Sequence, residues 1–285
     1  MIVELWPNFF IVGAMRSGTT SLHSYLKMQP EVYLPDEKEP VYFSTLPGPI
    51  PERQITKQEY LNLFNDVKNE KAIGEASIQY LRDPFSHEKI FRVVPHAKII
   101  IILRNPVFRA FSHYLAIWST KKISIGKAIR EDAKRINEND LENDNPLIYG
   151  LYYNQVKRYI DKFGINQVKI IVYEEFFNDL QQSLKELLEF LEVSSEIKSF
   201  DDEKLNEYFT PNNFVWKIIT NPIIKKLGYS LLPEKKRISW YKRLRSKNKT
   251  KPKLNEDDKK FLSDFYKDDI KSLEKLLDRE LPWFI

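Results

Sequence analysis

The chain of 285 residues contains no cysteine. That absence removes disulfides, thiolate nucleophiles and cysteine-based zinc sites together, and it fits a reducing compartment. Long apolar runs are missing as well. The longest clear one after the start is KIIIIL at 98 to 103, far short of the ~20 residues that cross a bilayer. The N-terminus carries an early Glu4 and Pro7 and no basic n-region, so neither a secretory leader nor a transmembrane segment is predicted. A soluble, cytoplasmic protein is the expectation. Neither sign of charge dominates: 45 Lys and Arg face 40 Asp and Glu, for a net charge of +5. A mixed surface of this kind suits anionic ligands without implying a nucleic-acid partner. No internal repeat, low-complexity domain or compact His/Asp ligand cluster is present, so no metal site is expected.

What is present is an alternation of periods. FFIV at 9 to 12, KIIIIL at 98 to 103 and VKIIVY at 168 to 173 are apolar on both sides, as parallel strands covered on both faces must be. Helical patterns lie between and after them, including NPVFRAFSHYLAIW, NPLIYGLYYNQVKRYIDKF and DLQQSLKELLEFLEV, with Gly164 and Asn166 where helix turns to strand. Strands alternating with helices predict an α/β fold, a P-loop-like doubly wound parallel sheet flanked by helices, in a single domain over 1–285. Residues 193–255 are less regular, with Pro211, Pro222, Pro233, Pro252 and the basic stretch KRLRSKNKTKPK. A C-terminal helix over 256–285 is predicted next. Asn255 would be its N-cap, and Leu262, Tyr266, Ile270, Leu273 and Leu277 would share one face.

The segment GAMRSGTT, after the first strand, places Gly13 and Gly18 at P-loop spacing. Thr19 stands where a Walker lysine would reach nucleotide phosphates, which disfavours ATP or GTP hydrolysis. A strand end leading into a helix still offers backbone N–H groups and a positive dipole end to an anion. Arg16, Ser17, Thr19 and Thr20 add side-chain donors around the same turn. By itself the stretch is equally an ordinary turn with an N-cap. A second element, ILRNPVFRAFSHYL, ends a buried strand at Arg104 and places Ser112 eight residues later. An arginine at the carboxyl end of a parallel strand lies where ligands of such sheets bind, though Arg104 alone is equally a salt-bridge partner.

Together the two elements resemble the sulfotransferases that use 3'-phosphoadenosine-5'-phosphosulfate (PAPS), and LRNPVFRAFSHY is especially similar to the glycan branch that includes heparan sulfate sulfotransferases and bacterial relatives. The resemblance implies a PAPS-binding set of Arg16, Ser17, Gly18, Thr19, Thr20 and Ser21 around the 5'-phosphosulfate. Arg104 and Ser112 would lie on the 3'-phosphate, with adenosine 3',5'-bisphosphate (PAP) as product and no metal. Arg16 would also be catalytic, stabilising the bridging oxygen as charge grows there.

The segment PDEKEPVYF resembles the branch's K-E-x-x-F-F stretch, so Glu39 is implied as the base that takes the acceptor's proton. Without that likeness Glu39 reads as a solvated charge. His23, His87, His96 and His113 are rival bases, and none falls where the cytosolic small-molecule sulfotransferases place theirs. GEASIQYL resembles the branch's E-K-[ST]-P-x-Y segment, implying acceptor contacts at Glu75 and Tyr80, but Ala76 replaces a lysine that often contributes there. Either Lys38 or Arg82 would supply that charge to the substrate, or the acceptor would be less acidic than heparan chains. The branch's cysteine-bracketed C-terminal loop is missing, and Arg243, Arg245 and Lys247 could take its place or form a solvated face.

The expected activity is therefore sulfuryl transfer from PAPS to a hydroxyl, or an amine, of a glycan or glycolipid. Two alternatives stand beside it: a catalytically silent protein that binds sulfated or phosphorylated polymer, and a P-loop kinase. The kinase is disfavoured by Thr19 and by Arg104 at the place of a Walker B acid.

Overall fold

The computed structural model describes residues 4–46, 55–118, 124–138, 145–197 and 253–283. Among them the strands are β1 (Phe9–Gly13), β2 (Val32–Tyr33), β3 (Ala72–Ala76), β4 (Lys98–Leu103) and β5 (Val168–Val172). The helices are α1 (Thr19–Lys27), α2 (Lys57–Asn62), α3 (Ser86–Val93), α4 (Pro106–Trp118), α5 (Ile125–Asn137), α6 (Tyr152–Phe163), α7 (Tyr173–Asn178), α8 (Leu180–Phe190) and α9 (Glu256–Leu277).

The strands form one sheet in the order β2-β3-β1-β4-β5, every pair parallel. The chain runs from β1 out to β2, back to β3, then across β1 to β4. The order thus reverses at β1, and a doubly wound sheet leaves a crevice beyond the carboxyl ends of its strands at such a point.

Alternation along the strands divides the core in two. Phe9, Ile11, Ile100 and Ile102 join Leu22, Tyr25 and Leu26 of α1, Phe176 of α7 and Leu184, Leu187 and Leu188 of α8 in one buried cluster. Their neighbours Phe10, Val12, Ile99, Ile101 and Leu103, fully buried too, point to the opposite face. There α6 packs on β5, with α3 and α9 against α6. Burial on both faces is why these strands carry continuous apolar runs.

Two strands were not predicted. β2 has only two residues, and β3 reads AIGEA, with alanine, glycine and glutamate that favour strands little. Pairing with β1 overrides that preference. Gly74 lies opposite Phe9 in the register, and a Cβ there would come within 2.2 Å of the Phe9 ring, so the position accepts only glycine.

Three boundaries also differ. β5 stops at Val172 and Tyr173 opens α7. The helical pattern over 145 to 163 divides into a tight 3-10 turn at Ile148–Gly150 and α6 from Tyr152. That start is fixed by Asp269 of α9, whose carboxylate accepts the Tyr152 N–H at 2.7 Å and the Tyr153 N–H at 3.2 Å. α9 begins with Glu256, Asp257 and Asp258 in its first turn, where acids suit the helix dipole, and ends at Leu277 rather than at the C-terminus. Leu262, Tyr266, Ile270 and Leu273 are its buried face.

The described residues from 4 to 197 and from 256 to 283 belong to one compact unit. Arg243, Arg245 and Lys247 lie outside the described residues. No helix among the described residues is long and apolar enough to cross a membrane.

Candidate active site

The loops after β1 and β4 meet at the crevice. Gly18 opens α1 at φ 89°, and no side chain caps that helix. The first-turn N–H groups therefore face the crevice without an intrahelical partner. A Cβ on Gly18 would come within 2.9 Å of the Tyr173 ring, so tight packing and a left-handed backbone both demand glycine here. Ser17 Oγ is buried beside the Tyr152 hydroxyl yet outside hydrogen-bonding geometry with any described group. Thr19 and Ser21 are buried, and Thr20 is exposed.

Arg16 Nε donates to Ser112 Oγ on α4 at 3.2 Å. Arg104, at the end of β4, donates Nη1–H to the Arg16 carbonyl at 3.4 Å, with its guanidinium 4.8 Å from the Tyr173 ring centroid. The Arg104 carbonyl in turn accepts the Tyr152 hydroxyl at 2.9 Å. Glu174 fixes the start of α4 by accepting the Asn105 N–H at 3.0 Å, and it holds the Trp283 indole N–H at 2.9 Å. Two guanidinium groups, a hydroxyl and an uncapped helix start thus converge, a donor set that fits two phosphate-like groups and leaves an orphaned Ser17 hydroxyl for one of them.

The loop that follows β2 forms the other wall. Lys38 Nζ lies 3.3 Å from Thr20 Oγ1 and 3.6 Å from Glu39 Oε1. Glu39 Oε2 accepts the Ile78 N–H at 2.9 Å. Burial raises the Glu39 carboxyl above its usual range, while Lys38 and the Ile78 N–H pull it back. Burial likewise lowers Lys38, and Glu39 opposes that. The pair thus sets a carboxylate beside the loop after β1, bridged to it by a partly desolvated ammonium.

Glu39 and Val41 are left-handed, with φ 62° and 50°, and the segment after β3 holds them so. The Glu39 N–H goes to the Ala76 carbonyl at 3.0 Å, the Val41 N–H to Ser77 Oγ at 3.1 Å and the Phe43 N–H to Tyr80 Oη at 3.2 Å. Farther on, Asp83 accepts from Ser44 Oγ at 2.8 Å and Thr45 Oγ1 at 2.9 Å. Glu75 and Tyr80, expected at the acceptor, are fully buried, and their polar atoms are engaged inside the protein. Ala76 contributes its carbonyl.

Arg82 lies over the Tyr149 ring, 4.5 Å from its centroid, with Arg16 and Arg109 near the same histidine, His113. Burial and then these three cations push His113 down to about 3, and its Nδ1 is 3.4 Å from Arg109 Nη1. His23 on α1 is held down to about 4 by burial and by Lys38 and Lys27. His87 is lowered by burial and packs on Tyr159, and His96 is exposed. Both histidines near the crevice are therefore neutral and poorly basic. Among the described residues no group of His, Asp or Glu could hold a metal ion.

Sequence reasoning missed Tyr152, Tyr173, Ser77 and the Ile78 N–H. Tyr173 had a signal in VYEEF directly after a strand, since strand ends of such sheets line the crevice. A backbone N–H leaves no mark in a sequence.

The profile of the "Sulfotransferase domain" family matches residues 7–275. A crystal structure of a sulfotransferase from Alicyclobacillus acidocaldarius superposes with a TM-score of 0.70 and 31% identity, over 97% of this chain and 98% of that one. The membrane-associated sulfotransferase kil1 of Dictyostelium discoideum is 34% identical over 38% of this chain and 22% of its own length. The mouse bifunctional heparan sulfate N-deacetylase/N-sulfotransferase 4 is 26% identical over 96% of this chain and 30% of its own. The chain thus spans less than a third of either curated relative. With the profile covering nearly the whole chain, and a solved structure matching end to end, the chain belongs to the sulfotransferase family.

Proposed function

We propose that the chain transfers the sulfuryl group of PAPS to a hydroxyl of a glycan or glycolipid, with an amine as the alternative nucleophile. The observation that carries this reading is the bridge Thr20–Lys38–Glu39, at 3.3 Å and 3.6 Å. It sets a carboxylate beside the loop that fits the phosphosulfate. Arg104 and Ser112 would hold the 3'-phosphate. Arg16, Ser17 and the N–H groups of Gly18, Thr19, Thr20 and Ser21 would hold the phosphosulfate. Arg16 bonds Ser112 and so lies between the two groups.

The acceptor oxygen or nitrogen attacks sulfur while the bond from sulfur to the bridging phosphate oxygen breaks. The electron pair of that bond leaves on PAP, where Arg16 stabilises it. The acceptor's proton goes to Glu39. Burial, which raises Glu39, moves it toward the working pH of a base, and Lys38 opposes that rise. Lys38, beside the base, is better placed than Arg82, stacked on Tyr149, to meet the sulfuryl group or an anionic acceptor. The heparan-type relatives support a glycan acceptor, and their N-sulfotransferase names support the amine alternative.

The test is PAP release from PAPS with hydroxyl- and amine-bearing glycans and glycolipids. Glu39→Gln keeps the shape but cannot take a proton, so transfer should fall roughly 10² to 10⁴-fold while PAP still stabilises the protein. If Glu39→Gln matches the wild type, Glu39 is not the base. If neither protein releases PAP above the spontaneous rate while both bind it, the silent polymer-binding reading replaces this one.

A further inference from the structure

We infer that Glu75 is a positioning residue for the reaction: its carboxylate, buried among the hydroxyls of Tyr60, Ser77 and Tyr80, sets the direction of the hydrogen bonds that hold Glu39 at the crevice. The inference rests on the reading of Glu39 as the base.

Glu75 is 0% exposed and none of the described contacts gives it a cation. Its partners are hydroxyls. Tyr60 Oη donates to Oε1 at 3.3 Å, and Ser77 Oγ donates to Oε2 at 2.8 Å. The Tyr80 hydroxyl lies in the same cluster. A hydroxyl has one proton and two lone pairs, and an ionised carboxylate can only accept. Once Ser77 gives its proton to Glu75, its lone pairs are left for a donor, and the Val41 N–H takes one. Tyr80 serves the Phe43 N–H in the same way.

Between Ser77 and Tyr80 in the chain lies Ile78, whose N–H binds Glu39 Oε2. The carboxylate thus orients two hydroxyl acceptors, and these anchor the backbone at alternate residues just beyond Glu39. That anchoring matters because Glu39 and Val41 both adopt φ values that their side chains disfavour. Without it the loop would relax and move the Glu39 carboxylate away from Lys38 and Thr20. Burial pushes Glu75 up to about 7, with the Glu39 charge adding to it and the hydroxyl donors opposing it, so the orienting effect belongs to the pH range above that value, where the carboxylate is ionised. The site is therefore a costly one for a carboxylate, held there by hydroxyl donors with no cation among the described contacts.

Glu75→Gln keeps one acceptor oxygen but puts an amide N–H₂ donor where the other stood, so the surrounding hydroxyls can no longer all donate to residue 75. The test measures PAP release from PAPS with water as acceptor, in the full chain, for Glu75→Gln, Glu39→Gln and the double variant. Glu75→Gln should lower kcat about tenfold or more, leaving KM for PAPS and the thermal shift with PAP unchanged. In the Glu39→Gln background the same change should have almost no further effect, because the residue acts through the base. Should Glu75→Gln not fold, Ser77→Ala carries the same prediction, as it leaves the carboxylate its tyrosine donors. A wild-type rate in Glu39→Gln overturns the base. A slow Glu39→Gln with a normal Glu75→Gln, or an equal further loss in the double variant, overturns the positioning role alone.

Discussion

Arg104 donates Nη1–H to the backbone carbonyl of Arg16 at 3.4 Å across 88 residues of sequence, joining the loop after β4 to the loop after β1. The same Arg16 binds Ser112, so a substitution at either arginine disturbs both halves of the proposed donor site. PAP, at 100 times its Kd, should stabilise the protein by about 2.7 kcal/mol through mass action, and AMP by less. In Arg104→Ala the two nucleotides should give equal shifts in melting temperature. A preserved preference for PAP would remove Arg104 from the 3'-phosphate.

If Glu39 is the base, as proposed, Lys38 sets the pH at which it works. Burial raises Glu39 and the Lys38 ammonium at 3.6 Å pulls it back. In Lys38→Met the opposing pull is gone, so the Glu39 carboxyl rises further and stays protonated to a higher pH. The acid limb of PAP release against pH should move upward, with the loss larger at pH 6 than at pH 8. An unmoved acid limb would show that Glu39 does not set it.

Gly18 combines φ 89° with a Cβ position 2.9 Å from the Tyr173 ring. An L-residue in the left-handed region costs about 1–2 kcal/mol, and the ring contact adds to that. Gly18→Ala should lower the melting temperature by several degrees and also weaken PAP, since Tyr173 supports Arg104. Loss of stability with full PAP affinity would separate the turn from the site.

Asp269 binds the first N–H groups of α6 from inside the core, and burial pushes it up to about 6 despite those donors. Its folded pKa lies above its unfolded value, so the folded state binds a proton that the unfolded state does not. The stability gained this way is fully present below about pH 4 and is lost as pH rises through about 6. Asp269→Asn lacks this dependence. Wild type minus Asp269→Asn in melting temperature should therefore grow from pH 7.5 down to pH 4.5. Taking the difference cancels the opposite trend from His23 and His113, whose lowered values remove stability on acidification. A constant difference would mean that Asp269 keeps an ordinary pKa.

The three strong strands and the last helix were legible because their period survives in one dimension: KIIIIL can hide only between two layers, and Leu262, Tyr266, Ile270 and Leu273 recur at helical spacing. β3 was not, since AIGEA becomes a strand only because β1 offers it an unpaired edge, with Gly74 yielding space to Phe9. At the site, Arg16, Arg104, Ser112 and Glu39 were named from motifs, while Glu75 and Tyr80 were expected to face an acceptor and instead turn inward.

The sequence by itself determined which groups can carry chemistry: a cysteine-free chain with an arginine before its helix-opening glycine, another arginine at a strand end, and a Lys-Glu pair between them. Tertiary structure alone decided how they work. Hydrogen bonds between Arg16 and residues 88 and 96 positions away, and a buried Glu75 carboxylate that accepts from the Tyr60 and Ser77 hydroxyls, depend on direction and dielectric. Both are properties of the packed chain: a side chain's pKa and the sense of its hydrogen bonds are set by the atoms folded around it, and the order of residues does not record them.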